Sequence, residues 1–583
     1  MCGIVGWIDP EAPDGPESRR RIQAMCDAIR HRGPDDDGVF IADGVALGMR
    51  RLSIVDLEGG AQPMVGGGGE VQLVFNGEIY NHAELRDGLA AEGVVFETQS
   101  DTEVILRLYE RFGKAAFARL NGMFAIAIFD GRTGCLTLVR DRLGVKPLYY
   151  SFDGRRLLFA SEIKAILEAL PARPPVNPRA IWDYLTFRFV PAPDTIWQGI
   201  AKLEPAHLLT IERGLSREPV IERWWDMPTP GRTDSLDEQT LVQEFDWLLR
   251  DAVERRMRAD VRVGVLLSGG LDSSVVAALA AKSHPRLATF AIAFEGADAI
   301  DERGFARDVA QHLGADHHEI AIGEKDVLDF LPDFVHATDE PLADLASIPL
   351  YYVSRLAREQ VKVVLSGEGS DEILGGYSFD VWAGRWDQAA EQAGTLANRS
   401  RLARYLSATP AMPDPGLLDL RQTPQPLTMT AYMTSKEKQA LLRTVGGFPD
   451  SHDRPRRDLA TYGDASPLAQ ALYTYCQDWL VEDLLMKADK MSMANSLELR
   501  TPFLDYRLVE MAAHLPDALR VGRDRSGQYR TKRILREIAA QLIPRTVIER
   551  SKMGFPVPLY DWLKDRLQPL ARDCLSSGQS RLR

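Results

Sequence analysis

Three short stretches carry side chains whose types and spacing suit chemistry. The chain opens MCGIVGW. Removal of Met1 would leave Cys2 with a thiol and a free α-amino group on one carbon, a nucleophile with its own base. At 266–276 the string LLSGGLDSSVV ends an apolar run, turns through Ser-Gly-Gly and opens a helical pattern. Backbone N–H groups in such a turn, with a helix N-terminus behind them, cradle an anion. Ser268, Ser273 and Ser274 add hydroxyl donors. Asp272 is out of place beside a phosphate unless a cation lies between them, and Mg²⁺ binds both kinds of oxygen. A Gly turn with a Ser cap explains SGG alone; the whole string after a strand favours the cradle. LSGEGSDEILGGY (365–377) repeats the logic. Ser366 and Gly367 offer backbone contacts to a nucleotide, Asp371 shares the metal with Asp272, and Glu368 is a candidate base. No Gly-Lys-Ser/Thr follows the first turn, which excludes a P-loop.

The elements that must position these groups fall into two textures. Up to about residue 165 the pattern is of short strands and turns with two helices. VQLVF (71–75) reads as a strand followed by a polar turn, and MFAIAIFD (123–130) with CLTLVR (135–140) as a hairpin. Val104, Leu108 and Phe112 predict a helix over 101–113. The Gly run at 66–69 reads as a hairpin-like turn. PARPPVNP (171–178) and MPTPGRTDS (227–235) are Pro-rich breaks. A long helical pattern covers 237–258. Beyond it, apolar runs at 261–267, 287–294 and 361–367 alternate with helical patterns at 273–282 and 302–314. That alternation predicts a parallel sheet wound on both faces, and a mostly helical tail follows from about 380. The expected domains are 2–170, a connecting segment 171–235, and 236–583.

Composition sets the outer bounds. A chain of 583 residues, 45% apolar and 26% charged, exceeds one ordinary core. Five scattered cysteines without a C-x-x-C pair indicate neither a zinc knuckle nor a disulfide framework. No stretch is long and apolar enough to span a bilayer, and the start lacks the plan of a signal peptide. A cytoplasmic protein with no membrane partner is expected. The net charge of −13 argues against a nucleic-acid partner.

Longer strings identify a resemblance. SGGLDSS is similar to the pyrophosphate loop of ATP pyrophosphatases. MCGIVG, HRGPD (31–35), RRLSIVD (50–56), FNGEIYN (75–81) and SDTE (100–103) resemble a class II glutamine amidotransferase. ADKMSMANSLELRTPFLD (488–505) completes the pattern of the glutamine-hydrolysing asparagine synthetases of the bacterial B type. The resemblance runs from Cys2 to about Pro558, with the motifs in the family's order. It implies an α+β N-terminal nucleophile domain of αββα layering, then an α/β domain with a parallel sheet and a largely helical C-terminal part.

The resemblance also implies roles. Cys2 attacks the glutamine side-chain amide, and Asn76 and Gly77 form the oxyanion hole. Arg51 grips the substrate carboxylate, with a planar fork suited to that task. Glu78 and Asp101 hold its ammonium. ATP lies against Leu266, Ser268, Gly269, Gly270, Asp272, Ser273, Ile292, Ser366 and Gly367, with Mg²⁺ on Asp272 and Asp371. Glu368 handles ammonia's proton, and Lys552 neutralises charge on the intermediate or pyrophosphate. The implied substrates are glutamine, ATP and aspartate, joined through β-aspartyl-AMP, and a homodimer is common for such enzymes. Ammonia must cross a buried channel, for which MSMANS (491–496) is a candidate lining; a helix-packing face is the other reading.

Two alternatives stand beside asparagine synthesis. The same machinery acts on other carboxylates, among them cell-wall peptides and natural-product precursors, and 380–465 matches no family motif. A non-catalytic scaffold is opposed by the joint presence of Cys2, Asn76, Asp272, Asp371 and Lys552. The two-site reading predicts that Cys2→Ala abolishes product formation from glutamine and leaves formation from ammonia. Assays with each nitrogen source check this, and simultaneous loss of both would refute the division.

Overall fold

The computed structural model describes residues 2–12, 14–214, 218–229, 237–296, 302–377, 380, 432–442, 447–453, 455, 465–524, 527–550, 558, 562, 564 and 567–576. Lys552 lies outside the described residues, as does most of 380–465.

The first half is built from twelve strands. They are β1 (Cys2–Ile8), β2 (Asp36–Ala42), β3 (Val45–Arg51), β4 (Met64–Gly66), β5 (Val71–Ile79) and β6 (Gly122–Asp130), then β7 (Cys135–Arg140), β8 (Tyr149–Phe152), β9 (Leu157–Ala160), β10 (Ala201–Lys202), β11 (His207–Glu212) and β12 (Val220–Arg223). Two six-stranded antiparallel sheets result, ordered β10-β8-β9-β1-β3-β2 and β12-β11-β7-β6-β5-β4. Successive side chains of a strand face opposite ways. In β1, Cys2, Ile4 and Ile8 therefore enter the layer between the sheets, with Val74, Ala125, Leu138 and Phe159. Val5 and Trp7 face outward onto Ile22 and Met25 of the helix Pro16–Ala28 and Ile166 of Ile163–Ala169. Across the molecule, Leu73 and Phe75 meet Val104, Ile105 and Leu108 of the helix Asp101–Phe112. Helix, sheet, sheet, helix is the αββα layering the resemblance implies.

Three expectations shift here. The strand expected over 71–75 runs on to Ile79, because Asn76–Ile79 continue the ladder against Met123–Ala125 and Gly122 of β6. The polar residues read as a turn are thus strand residues. Part of the segment expected to connect the domains is built into the first one: β11 pairs with β7, and β12 with β11. The Pro-rich stretch at 171–178 is followed by the helix Pro178–Phe187 and by these strands, so it does not end the sheet. The Gly run behaves as read, since Gly66 and Val71 pair across it.

The second half centres on five parallel strands: β13 (Val263–Leu266), β14 (Ala288–Phe294), β15 (Asp316–Ile322), β16 (Val363–Leu365) and β17 (Glu498–Arg500). Their order, β15-β14-β13-β16-β17, reverses direction between β13 and β16. The crevice beyond the strand ends at such a reversal is where open α/β sheets bind ligands. The helices Leu271–Ser283 and Arg303–Leu313 follow their expected spans closely. A continuous helical run links Pro467–Thr474, the π-helical Tyr475–Leu485 and Met486–Met493. Among the described residues no helix is long and apolar enough to cross a membrane.

The halves meet through buried charge. Arg32 forks onto both oxygens of Asp489 at 2.7 and 3.0 Å and reaches Glu162 at 2.8 Å. Lys202 bridges Glu340 and Glu482, each at 2.7 Å. Removing one partner of such a group leaves the others charged and dry, at a cost of about 3–5 kcal/mol. Lys202→Met is therefore expected to lower the unfolding temperature, and adding Glu340→Gln and Glu482→Gln to restore most of it. Calorimetry of the two variants checks this; equal destabilisation would mean that unpaired charge is not the cause.

Candidate functional site

Two sites take shape, one in each half. In the first, β1 and β3 pair Cys2 with Arg51, and β5 brings Asn76 into the same buried space. The backbone nitrogen of Cys2 donates to Asn76 Oδ1 at 3.1 Å. That contact turns the amide's other end away, and Asn76 Nδ2 is buried with no hydrogen-bond partner among the described residues. An orphaned amide donor on a residue that binds the Cys2 backbone can serve a developing oxyanion. Gly77 has no room for a side chain, since a Cβ would stand 2.0 Å from the Met123 carbonyl oxygen. The amides of Phe75 and Ile79 leave the sheet for Gln62 Oε1 (2.7 Å) and Asp101 Oδ2 (3.0 Å). Strand alternation directs the Gly77 N–H to that same edge.

Burial pushes the Cys2 thiol up, against the Leu52 amide and Arg51, which pull it down. The resting group is thus a thiol that needs a base. Arg51 is buried and donates to the carbonyls of Leu57 (3.1 Å), Val55 (3.2 Å) and Asp56 (2.6 Å). Among the described residues it forms no ion pair, so it is not a surface salt bridge. Its charge is positioned by the dipoles of three backbone carbonyls. Glu78 and Asp101 are buried acids pushed up chiefly by desolvation; Arg500 pulls Glu78 down, and His82 and the Ile79 amide pull Asp101 down. Two desolvated carboxyls of like sign favour a cation between them. Glu78 is also tied to Arg500 Nη2 at 3.0 Å, a partner from the other half.

The second site is a cavity of ≈360 Å³ at the reversal between β13 and β16. Leu266, Ser268, Gly270, Asp272, Ser273, Ile292, Ser366 and Gly367 line it, as do Glu368 and Asp371. Gly269 does not. It backs onto Ala306 at φ +71, and its carbonyl takes Arg550 Nη1 at 3.1 Å. Ser274 is fully buried and does not line the cavity either, so the extra hydroxyl donor read from the sequence is absent. The Ser268 and Ser273 hydroxyls bond each other at 3.0 Å. At Gly367 the two loops touch, since a Cβ there would stand 2.8 Å from Asp272 Cβ. Burial raises the Glu368 carboxyl above its ordinary value, against the pull of Lys487. Asp272 Oδ2 and Asp371 Oδ1 lie within 2.7 Å of one nitrogen, Lys532 Nζ. Two carboxylates that share one cation fit a divalent ion as well.

Sequence reasoning missed four residues that shape these sites. Arg32 and Arg500 stood in quoted motifs, HRGPD and LELRTPFLD, without a role. Arg32 Nε donates to the Cys2 carbonyl at 3.3 Å. Lys487 and Lys532 both line the cavity. Lys487 sits inside a helix and Lys532 just before one, each among charged residues whose pattern resembles a solvated face. Of the proposed channel lining, Met491 and Met493 pack in the apolar core, and Ser496 Oγ donates to the His31 carbonyl at 2.6 Å.

A buried thiol at Cys2 near an unpartnered amide, joined to a parallel-sheet domain with a cavity at its reversal point, is the layout of a glutamine amidotransferase domain fused to an ATP-dependent ligase domain. Family models agree: the glutamine amidotransferase domain matches residues 1–225 and asparagine synthase matches 244–583. The chain belongs to the glutamine-hydrolysing asparagine synthetase family. It is 35% identical to asparagine synthetase [glutamine-hydrolyzing] 1 of Bacillus subtilis over all of this chain and 90% of that one. It is 36% identical to a putative asparagine synthetase of Mycobacterium tuberculosis, covering 97% and 88%. It is 30% identical to amidase chyE of Penicillium rubens, covering 96% and 89%.

Asn76→Ala removes the orphaned donor. One such donor typically supplies about 3–4 kcal/mol, so glutamate release is expected to fall roughly 10²–10³-fold in kcat. Product formation from ammonia should persist. An unchanged kcat for glutamate release would exclude Asn76 from the oxyanion site.

Proposed function

We propose that the chain transfers nitrogen from glutamine to the side-chain carboxylate of aspartate, giving asparagine, at the expense of ATP. In the first site Arg51 holds the glutamine carboxylate while Glu78 and Asp101 face its ammonium. The Cys2 α-amine takes the thiol proton, sulfur attacks the side-chain amide, and Asn76 Nδ2 with the Gly77 N–H meets the oxyanion. Ammonia leaves and water releases glutamate.

In the second site a carboxylate must first become an electrophile, because its charge repels nucleophiles. Attack of the acid on the α-phosphate of ATP gives β-aspartyl-AMP and pyrophosphate. Ser268, Gly270, the helix start at Leu271 and the Ser366–Gly367 turn contact the phosphates. Mg²⁺ held by Asp272 and Asp371 would neutralise charge on the pyrophosphate as it leaves. Glu368, raised by burial, accepts the proton that ammonia sheds on attacking the anhydride. Lys552 belongs to this site by family likeness. We also propose that ammonia travels through the interface between the halves.

The observation that carries this reading is Arg500. Its side chain bonds Glu78, two residues from Asn76, and its carbonyl accepts the Ser366 amide at 3.0 Å. One residue thus spans the rims of both sites. The relative named an amidase makes the acceptor the point to test. With glutamine, Mg²⁺ and ATP supplied, pyrophosphate release should depend on aspartate. No release with aspartate, but release with a peptide or another carboxylic acid, would transfer the reading to a different acceptor.

A further inference from the structure

Lys532 holds an unusual position. Its backbone is left-handed, at φ +52, a conformation that costs a residue with a Cβ. Its side chain is 4% exposed, and its ammonium lies 2.7 Å from Asp272 Oδ2 and 2.6 Å from Asp371 Oδ1. The second oxygen of Asp272 takes the Ser370 hydroxyl at 2.8 Å. Gly376 closes the other side: a Cβ there would stand 1.7 Å from Asp371 Oδ1 and 2.2 Å from Lys532 Cε. The carboxylate edges suited to a divalent ion are therefore filled by a cation that the chain itself supplies.

A magnesium ion binds oxygen at about 2.0–2.1 Å. An ion that touched these same two oxygens would stand against the ammonium, and like charges at that range repel. We propose that Lys532 is the chain's own cation on Asp272 and Asp371 and competes with the divalent ion for these two carboxylates. Metal arriving alone must displace a buried ammonium and leave it without an anion. Metal arriving with a polyphosphate brings the anion on which Lys532 can settle. The two ligands then bind cooperatively, each raising the affinity for the other by the same factor. Lys532 is a positioning residue here, and the inference rests on the reading of this cavity as the site for ATP and its metal.

The test is Mn²⁺ binding to the full chain without nucleotide, read by electron paramagnetic resonance. Lys532→Met is expected to bind Mn²⁺ at least tenfold more tightly than wild type. Lys532→Arg, which keeps the charge, should bind as weakly as wild type. Adding Asp272→Asn to Lys532→Met should remove the gain. Glutamine hydrolysis in the other half reports that each variant is folded. Affinity unchanged or reduced in Lys532→Met overturns the proposal, as does a gain that survives Asp272→Asn. Should Lys532→Met not fold, wild type alone decides. Stoichiometric uptake of Mn²⁺ at micromolar concentration, lost in Asp272→Asn, overturns the proposal, and its absence supports it. No step needs turnover, so a protein that released pyrophosphate with no acid could still show this pattern.

Discussion

The buried guanidinium of Arg500 is the interaction on which the two-site architecture depends. Nε donates to Glu498 Oε1 at 2.5 Å, Nη1 to the carbonyls of Arg256 and Arg258 at 2.8 Å each, and Nη2 to Glu78 at 3.0 Å. A planar fork of five donors can make these contacts at once; a lysine could not. Because Arg500 ends β17, and its carbonyl holds Ser366, the nucleotide-side loop and the glutamine-side strand are fixed by the same residue. Displacing it would disturb Glu78 and Ser366 together.

The rest of the interface extends this principle. Arg32 joins Asp489 to the Cys2 carbonyl, and Lys146 reaches Asp489 at 3.4 Å. Asn121 and Arg256 converge on Asp505 from opposite halves. Well-packed apolar residues would often give equal or greater stability than such buried charge. What charge adds is geometry. A bidentate pair tolerates little rotation or slip, whereas apolar contacts re-form after a small slide. The relative placement of two active sites benefits from the first property.

Much of this was legible in the sequence, for identifiable reasons. Cys2, the Ser-Gly-Gly turn and the apolar strands at 263–266, 288–294 and 363–365 announce themselves through local pattern. β15, with the sequence DHHEIAI, and β17, with ELR, do not. β15 is a polar edge strand, and β17 is a short edge strand whose charges are satisfied across the interface, so neither has strand-like apolar periodicity. Strand β5 runs past Phe75 through polar residues that suggest a turn, because Asn76 binds the Cys2 backbone and Glu78 binds Arg500. Arg500 and Lys532 were invisible for a related cause. Their partners lie 422 and 260 residues away in the chain, and no local spacing encodes such pairs.

Three carboxyls at the interface are held ionised, which suits the proposed chemistry. Ammonia is a useful nucleophile only while unprotonated, so ionised acids at the interface suit the passage proposed for it. Burial alone would raise the carboxyls of Asp489, Glu162 and Glu498. Instead Arg32 and Lys146 hold Asp489 below its ordinary value, and His31, Lys164 and Lys490 hold Glu162 well below it. Arg500 and Lys146 are among the charges that do the same for Glu498. Carboxylates locked in this state carry no proton to give. At the far end Glu368 is shifted in the opposite direction, because burial there outweighs the attraction of Lys487. Its carboxylate is thus more basic than an exposed one, which suits the base role proposed for it. Pairing holds these three interface acids ionised, while desolvation leaves Glu368 more basic.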